Sequence, residues 1–157
     1  MAKVIGTKAG SESRILAVGS YRPQRIVPNS EIVDRIDSSD EWIQQRSGIE
    51  TRRVAEPDES VLDMATAAAE DALKKAKLPI TDIDTVIVAT ITFPFQAPSA
   101  ATALLQRLGH PKAAAFDINA ACAGFSYGVA IAHDFIKSGS STHVLVIGAE
   151  KISDFTD

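Results

Sequence analysis

Cys122 is the only cysteine in the chain, and its neighbours make it the first residue to consider for chemistry. It stands in Phe116-Asp117-Ile118-Asn119-Ala120-Ala121-Cys122-Ala123-Gly124-Phe125, where a short apolar run passes through small residues into a second apolar run. That pattern predicts a strand, a tight elbow and a helix start, with the thiol at the helix N-terminus. Unpaired N–H groups and the positive helix pole favour a thiolate there. The same N–H groups suit the oxyanion that forms when sulfur attacks a thioester. A lone cysteine among alanines is also read as a small core residue, and residue type alone leaves both readings open.

A cysteine nucleophile usually works with a base, and the chain has three histidines. His133 is eleven positions further along the same predicted helix. At 1.5 Å per residue that is about 16 Å, too far for direct proton transfer. His110 sits in a Gly-His-Pro turn and reads as a surface residue, and His143 opens a strand where nothing selects it for catalysis. No Cys/His cluster has metal-ligand spacing, and no glycine-rich phosphate loop is present. The pairs Asp34/Asp37 and Asp82/Asp84 sit beside loops and helix ends, as solvated capping residues do.

The elements that must position Cys122 follow from periodicity and punctuation. Residues 1–12 are small, polar and aperiodic, a flexible lead-in to a domain over 13–157. Arg14–Val18 predicts a first strand ending at Gly19, whereas residues 21–28 and the charged residues 52–60 predict loops. Asn29 or Ser30 caps a short helix carrying Ile32, Val33 and Ile36. Ser38-Ser39-Asp40-Glu41 has capping-box spacing and announces a second helix with Trp42, Ile43 and Arg46, stopped by Gly48. Ser60 to Asp63 open a long alanine-rich helix that Leu78-Pro79 terminates. Thr85–Ile91 is a β-branched run suited to a strand buried on both faces. A helix from Pro98 to Gly109, a strand over 113–118, a helix over 121–136 and a strand over 143–149 complete the chain. Strands alternating with helices, and apolar throughout, indicate an α/β fold with a mostly parallel central sheet.

Composition excludes several classes. A length of 157 residues suits one domain. With 45% apolar and 23% charged residues the chain is not intrinsically disordered. Sixteen Lys and Arg against 20 Asp and Glu give a net charge of -4, which argues against a nucleic-acid partner. A single cysteine forms no internal disulfide. The longest apolar runs fall far short of the roughly 18–20 residues of a membrane span, and the N-terminus has no signal-type apolar region. The expectation is a soluble, cytoplasmic protein with no membrane partner.

Several stretches together carry a resemblance: Ser38-Ser39-Asp40-Glu41-Trp42-Ile43, Arg46-Ser47-Gly48-Ile49, Ala97-Pro98-Ser99-Ala100-Ala101, Ala114–Ile118, Ala121-Cys122-Ala123-Gly124-Phe125 and Val146–Glu150. Over roughly Arg14 to Asp157 the chain resembles the N-terminal half of β-ketoacyl-acyl carrier protein synthase III, an initiator of type II fatty-acid synthesis. The pairing of the first two stretches with the cysteine elbow separates it from thiolases and from elongating synthases. The resemblance implies a thiolase-like layered fold, α-β-α-β-α in the full enzyme, and a homodimer. It implies that Cys122 accepts an acyl group from acyl-CoA, which is then condensed with malonyl-acyl carrier protein with loss of CO₂. Coenzyme A enters as a substrate thioester, and no resident cofactor or metal is implied.

On the same resemblance Trp42 stacks on the CoA adenine, Ser38 hydrogen-bonds near that base, and Arg46 faces a CoA or carrier phosphate. By residue type alone Trp42 reads as a core residue. Ala97 takes the position that shapes the acyl pocket of the neighbouring subunit, where some members carry Phe. Its small size implies an open pocket floor and longer or branched primers, unless Phe93 or Phe95 refills the space. Family members place a catalytic His, a catalytic Asn and a further adenine-covering Arg in the C-terminal half. The chain ends before them, so a truncated form is expected, one that exposes an apolar interface. Two alternatives stand beside this reading: a condensing enzyme of a polyketide or alkylquinolone pathway, and a non-catalytic half-domain with Cys122 as a packing residue.

Overall fold

Side-chain caps set most of the helix starts in the computed structural model, which describes residues 12–155. Helix α1 (Asp40–Ser47) begins where the Trp42 N–H donates to Ser39 Oγ at 3.1 Å. It ends at Gly48, whose φ of 70° supplies the left-handed cap. Ser39, not Ser38, is therefore the cap, and the expected box does not form. Helix α2 (Val61–Ala76) has the full reciprocal box: the Asp63 N–H donates to Ser60 Oγ and the Ser60 N–H to Asp63 Oδ2. Helix α3 (Ala100–Arg107) starts at Ser99, which accepts from the Thr102 N–H. Helix α4 (Gly124–Ser138) has no side-chain cap at its start and ends at Gly139.

Five strands complete the described residues. β1 (Arg25–Pro28) and β2 (Thr51–Val54) form an antiparallel ribbon with α1 inserted between them. β3 (Thr85–Ala89), β4 (Ala114–Ile118) and β5 (Val144–Gly148) form a parallel sheet in the order β4-β3-β5, in register from Thr85 against Ala114 and Val144. Successive side chains on a strand point to opposite faces, and both faces here are covered. Val86, Val88, Leu145 and Ile147 join Val61, Ala65 and Ala69 of α2 and Ala101, Leu104 and Leu105 of α3 in one core. Ile87 and Val146 face α4, which buries Gly124, Gly128 and Ala132 at four-residue spacing. A Cβ on Gly128 would stand 2.8 Å from Val146 Cγ1 and one on Gly124 2.9 Å from Ala89 Cβ, so the glycines set the close approach of helix to sheet.

Magnitudes say what holds this arrangement. Burying a Val, Leu or Ile contributes about 1.5–3 kcal/mol, and Val86, Ile87, Val88 and Leu104 are fully buried. Exposed ion pairs such as Arg25–Glu31, Lys75–Asp71 and Arg107–Asp63 contribute roughly 0–1 kcal/mol each. The apolar sheet dominates.

The structure corrects the sequence reading in five places. Arg14–Val18 is not a strand: Ile15, Leu16 and Val18 are exposed. The segment is tethered across α2 instead, through Ser20 N–H to Asp71 and Lys75 Nζ to the Val18 carbonyl. Two expected loops contain β1 and β2, because they pair with each other around a buried Val27. The helix expected after Asn29 is two short 3-10 turns, Asn29–Glu31 and Val33–Arg35, without side-chain caps. β3 stops at Ala89 and not at Ile91, since the Ile91 and Thr92 N–H groups turn to Glu150. The predicted helix over 121–136 divides into a 3-10 turn, Ala121–Ala123, followed by α4. The lead-in expected over residues 1–12 lies outside the described residues except for its last position. No helix among the described residues is long and apolar enough to cross a membrane.

Candidate active site

Parallel strands deliver their C-terminal ends to one edge of the sheet, where α/β proteins place ligands. Here Ala89, Ile118 and Gly148 align at that edge. Beyond β4 the chain runs through Asn119 and Ala120 into the turn that carries Cys122. Ala121 adopts φ 44°, a left-handed conformation that an L-residue other than glycine takes at a cost of order 1–3 kcal/mol. That bend presents the Cys122 side chain to solvent. The packing-residue reading of Cys122 is thus not met in the chain as it stands. Directly after it, α4 starts with no capping side chain and no acidic residue in its first turn. Its first N–H, that of Gly124, closes the preceding turn onto the Ala121 carbonyl, and no side chain caps the ones that follow.

None of the histidines serves this thiol. His133 Nδ1 is paired with Ser13 Oγ at 2.7 Å, far down α4. His143 precedes β5, at the opposite edge of the sheet, with Nδ1 3.1 Å from the Asp82 carbonyl. The His110 N–H closes the turn after α3 onto the Leu105 carbonyl. Asp84 proves to be a cap: Oδ2 accepts from the Thr142 and His143 N–H groups, and these bonds hold its carboxyl below the ordinary range. Among the described residues no group of three potential ligands could hold a metal ion.

Two carboxylates that sequence reasoning missed organise the loops beside Cys122. Asp117, inside β4, accepts from the Ala100 N–H at 2.7 Å and the Ala101 N–H at 2.8 Å, and so fixes the start of α3. Glu150 accepts from the Ile91 and Thr92 N–H groups and, at 2.6 Å, from Thr92 Oγ1. Together they hold both ends of the segment carrying Phe93, Phe95 and Ala97. The signal for Asp117 was available: a charge within an otherwise apolar strand. Ala97 is exposed, Phe93 packs against the core, and Phe95 is 63% exposed in edge contact with Phe93. Of the two, only Phe95 is free to fill space next to Ala97.

Helix α1 gathers the remaining predicted residues. Trp42 is 55% exposed, which overturns its reading as a core residue. The helix buries no residue at all, so it offers no core for Trp42 to enter. The Arg46 guanidinium lies 5.6 Å from the Trp42 ring centroid, a cation–π pair. Ser38 Oγ is buried and has no hydrogen-bond partner among the described residues. An exposed ring, an adjacent cation and an orphaned hydroxyl fit a planar, anionic ligand.

A family profile, 3-Oxoacyl-[acyl-carrier-protein (ACP)] synthase III, matches residues 116–157, the stretch from β4 through the Cys122 elbow to β5 and beyond. Over all its residues the chain is 50% identical to β-ketoacyl-[acyl-carrier-protein] synthase III 1 of Streptomyces coelicolor, covering 46% of that protein. The chain is similar over its whole length to about half of a β-ketoacyl-[acyl-carrier-protein] synthase III. Solved structures agree. The priming β-ketosynthase of a polyketide biosynthetic pathway superposes with a TM-score of 0.89 at 44% identity, over 97% of this chain and 46% of that one. The synthase III of Aquifex aeolicus gives 0.88 at 44% identity, over 92% and 46%. The α/β fold is thiolase-like, and the chain spans about half the length of the curated relatives it matches, as the N-terminal half of a synthase III.

Proposed function

We propose that the chain is the acyl-accepting half of a synthase III-type condensing enzyme, an acyltransferase that initiates fatty-acid synthesis. The observation that carries this is the exposed Cys122 on a strained elbow, at the N-terminus of α4, which no side chain caps. The Cys122 thiolate attacks the carbonyl carbon of an acyl-CoA, with the developing oxyanion stabilised by N–H donors. The attack forms the S–C bond to Cys122, and collapse re-forms the carbonyl and expels CoA as its thiolate. Malonyl-acyl carrier protein then loses CO₂, its α-carbon bonds to the acyl carbonyl carbon, and the cysteine thiolate leaves. Trp42, Ser38 and Arg46 bind the nucleotide end of CoA or a carrier phosphate, and CoA acts as substrate, with no resident cofactor. The His and Asn that assist condensation belong to the other half of the synthase, and the working form is a cytoplasmic homodimer in which Ala97 shapes the partner's acyl pocket.

The test is intact-mass measurement after incubation with acetyl-, isobutyryl- and longer acyl-CoA. We expect a mass gain equal to the acyl group, abolished in Cys122→Ala, and no strong preference for acetyl because Ala97 is small. A thiol inert to both acyl-CoA and iodoacetamide would return Cys122 to the packing role. The same chemistry priming a polyketide pathway is a second reading, favoured by the likeness to a priming β-ketosynthase. A carrier-protein pull-down, compared with direct assay on free malonyl-CoA in a synthase with both halves present, separates the two.

A further inference from the structure

Asn29 is 1% exposed and is among the most completely buried side chains of the molecule, yet it lies outside the apolar core. Every polar atom of its side chain is used. Nδ2 donates to Asp40 Oδ1 at 2.6 Å and to the Ile49 carbonyl at 2.8 Å, while Oδ1 accepts from Arg52 Nη2 at 2.7 Å. Its backbone N–H donates to the Glu50 carbonyl. Asp40 is the first residue of α1 and Ile49 follows its Gly48 cap, so one side chain grips the helix at both ends and ties it to β2.

That grip matters because α1 has little else. It is eight residues long and buries none of them. Helices shorter than about 12–15 residues are marginal in water unless tertiary contacts hold them, and α1 packs on the turn Asn29–Glu31.

We propose that Asn29 is the positioning residue of the CoA site: it holds α1 folded and oriented so that Ser38, Trp42 and Arg46 are presented together. This rests on the assignment of α1 to CoA binding. Asn29 touches no ligand; it acts through α1. When the competent arrangement is only partly populated, apparent affinity falls by that fraction.

Trp42 is the single tryptophan of the chain and reports on the site directly. The experiment measures its fluorescence anisotropy without ligand, and its emission during titration of the full chain with coenzyme A. Asn29→Ala is expected to lower the anisotropy and to weaken CoA binding roughly tenfold, the loss of one to two buried hydrogen bonds. The melting temperature followed on the sheet should change little. Asn29→Asp should be worse, because it sets a carboxylate against Asp40 and the Ile49 carbonyl. Adding Asp40→Asn restores a donor to that pair and should recover part of both signals, which a general loss of packing would not allow. This arm also serves if Asn29→Ala folds poorly. Unchanged anisotropy and affinity in Asn29→Ala, or no recovery in the double variant, overturns the proposal. If the unsubstituted chain shows no response to CoA, the CoA assignment of α1 fails, and anisotropy alone then decides whether Asn29 positions the helix.

Discussion

The Ala100 and Ala101 N–H groups would be orphans at the start of α3, and Asp117 reaches across from β4 to accept both. Bonds of this kind to a charged acceptor are worth more than neutral ones. Asp117→Asn keeps the volume but turns one oxygen into a donor that faces an N–H. We expect a loss of about 1–3 kcal/mol, read as a lower urea midpoint with an unchanged slope. The segment carrying Ala97 should loosen with it, since that segment ends at α3. A midpoint equal to that of the unsubstituted chain would mean that Ser99 alone caps the helix.

At the scale of elements, α2 depends on its reciprocal cap. The Ser60 hydroxyl and backbone hold the Asp63 carboxyl down to about 2 from its ordinary 3.8, with Arg107 adding to the effect. A carboxyl depressed on folding stabilises fully above its unfolded value, and that contribution is lost as pH falls through the folded one. Stability should therefore decline between pH 3.8 and about 2 as Asp63 takes up its proton. Ser60→Ala is expected to cost about 1 kcal/mol at neutral pH and to flatten that part of the profile. Thermal melts across this range measure both effects. An equally steep profile in Ser60→Ala would assign the acid sensitivity to other carboxylates.

For the whole molecule, the sheet is closed on both faces but α4 is not. Phe125 and Val129, one turn apart, show at 51% and 36% exposure on one flank of α4, and Tyr127 shows at 56% on the other. Because the His133 and His143 rings are bonded away from Cys122 and His110 lies in the turn after α3, acylation and condensation should separate in this chain. We expect self-acylation by acyl-CoA without detectable β-ketoacyl product from malonyl-carrier protein. Product formation by the 157 residues alone would place a condensation catalyst within them.

Much of this protein was legible without coordinates, for a physical reason: local signals act over a few residues. Ser39 or Ser60 before a helix, Gly48 and Gly139 after one, and the β-branched run at Thr85 each declare an element from within its own window. The cysteine elbow was legible in the same way, as small residues between two apolar runs. The ribbon of β1 and β2 was not, because its strands are only four residues each and exist only by pairing with each other across more than twenty residues. The failure of Arg14–Val18 as a strand has the same origin, since an apolar run becomes a strand only where a neighbour offers hydrogen bonds. Asn29 read as a helix cap, and Asp117 and Glu150 drew no reading at all. Tertiary structure alone decided that each brings together groups distant in sequence, because a buried polar side chain must find its partners wherever the chain carries them.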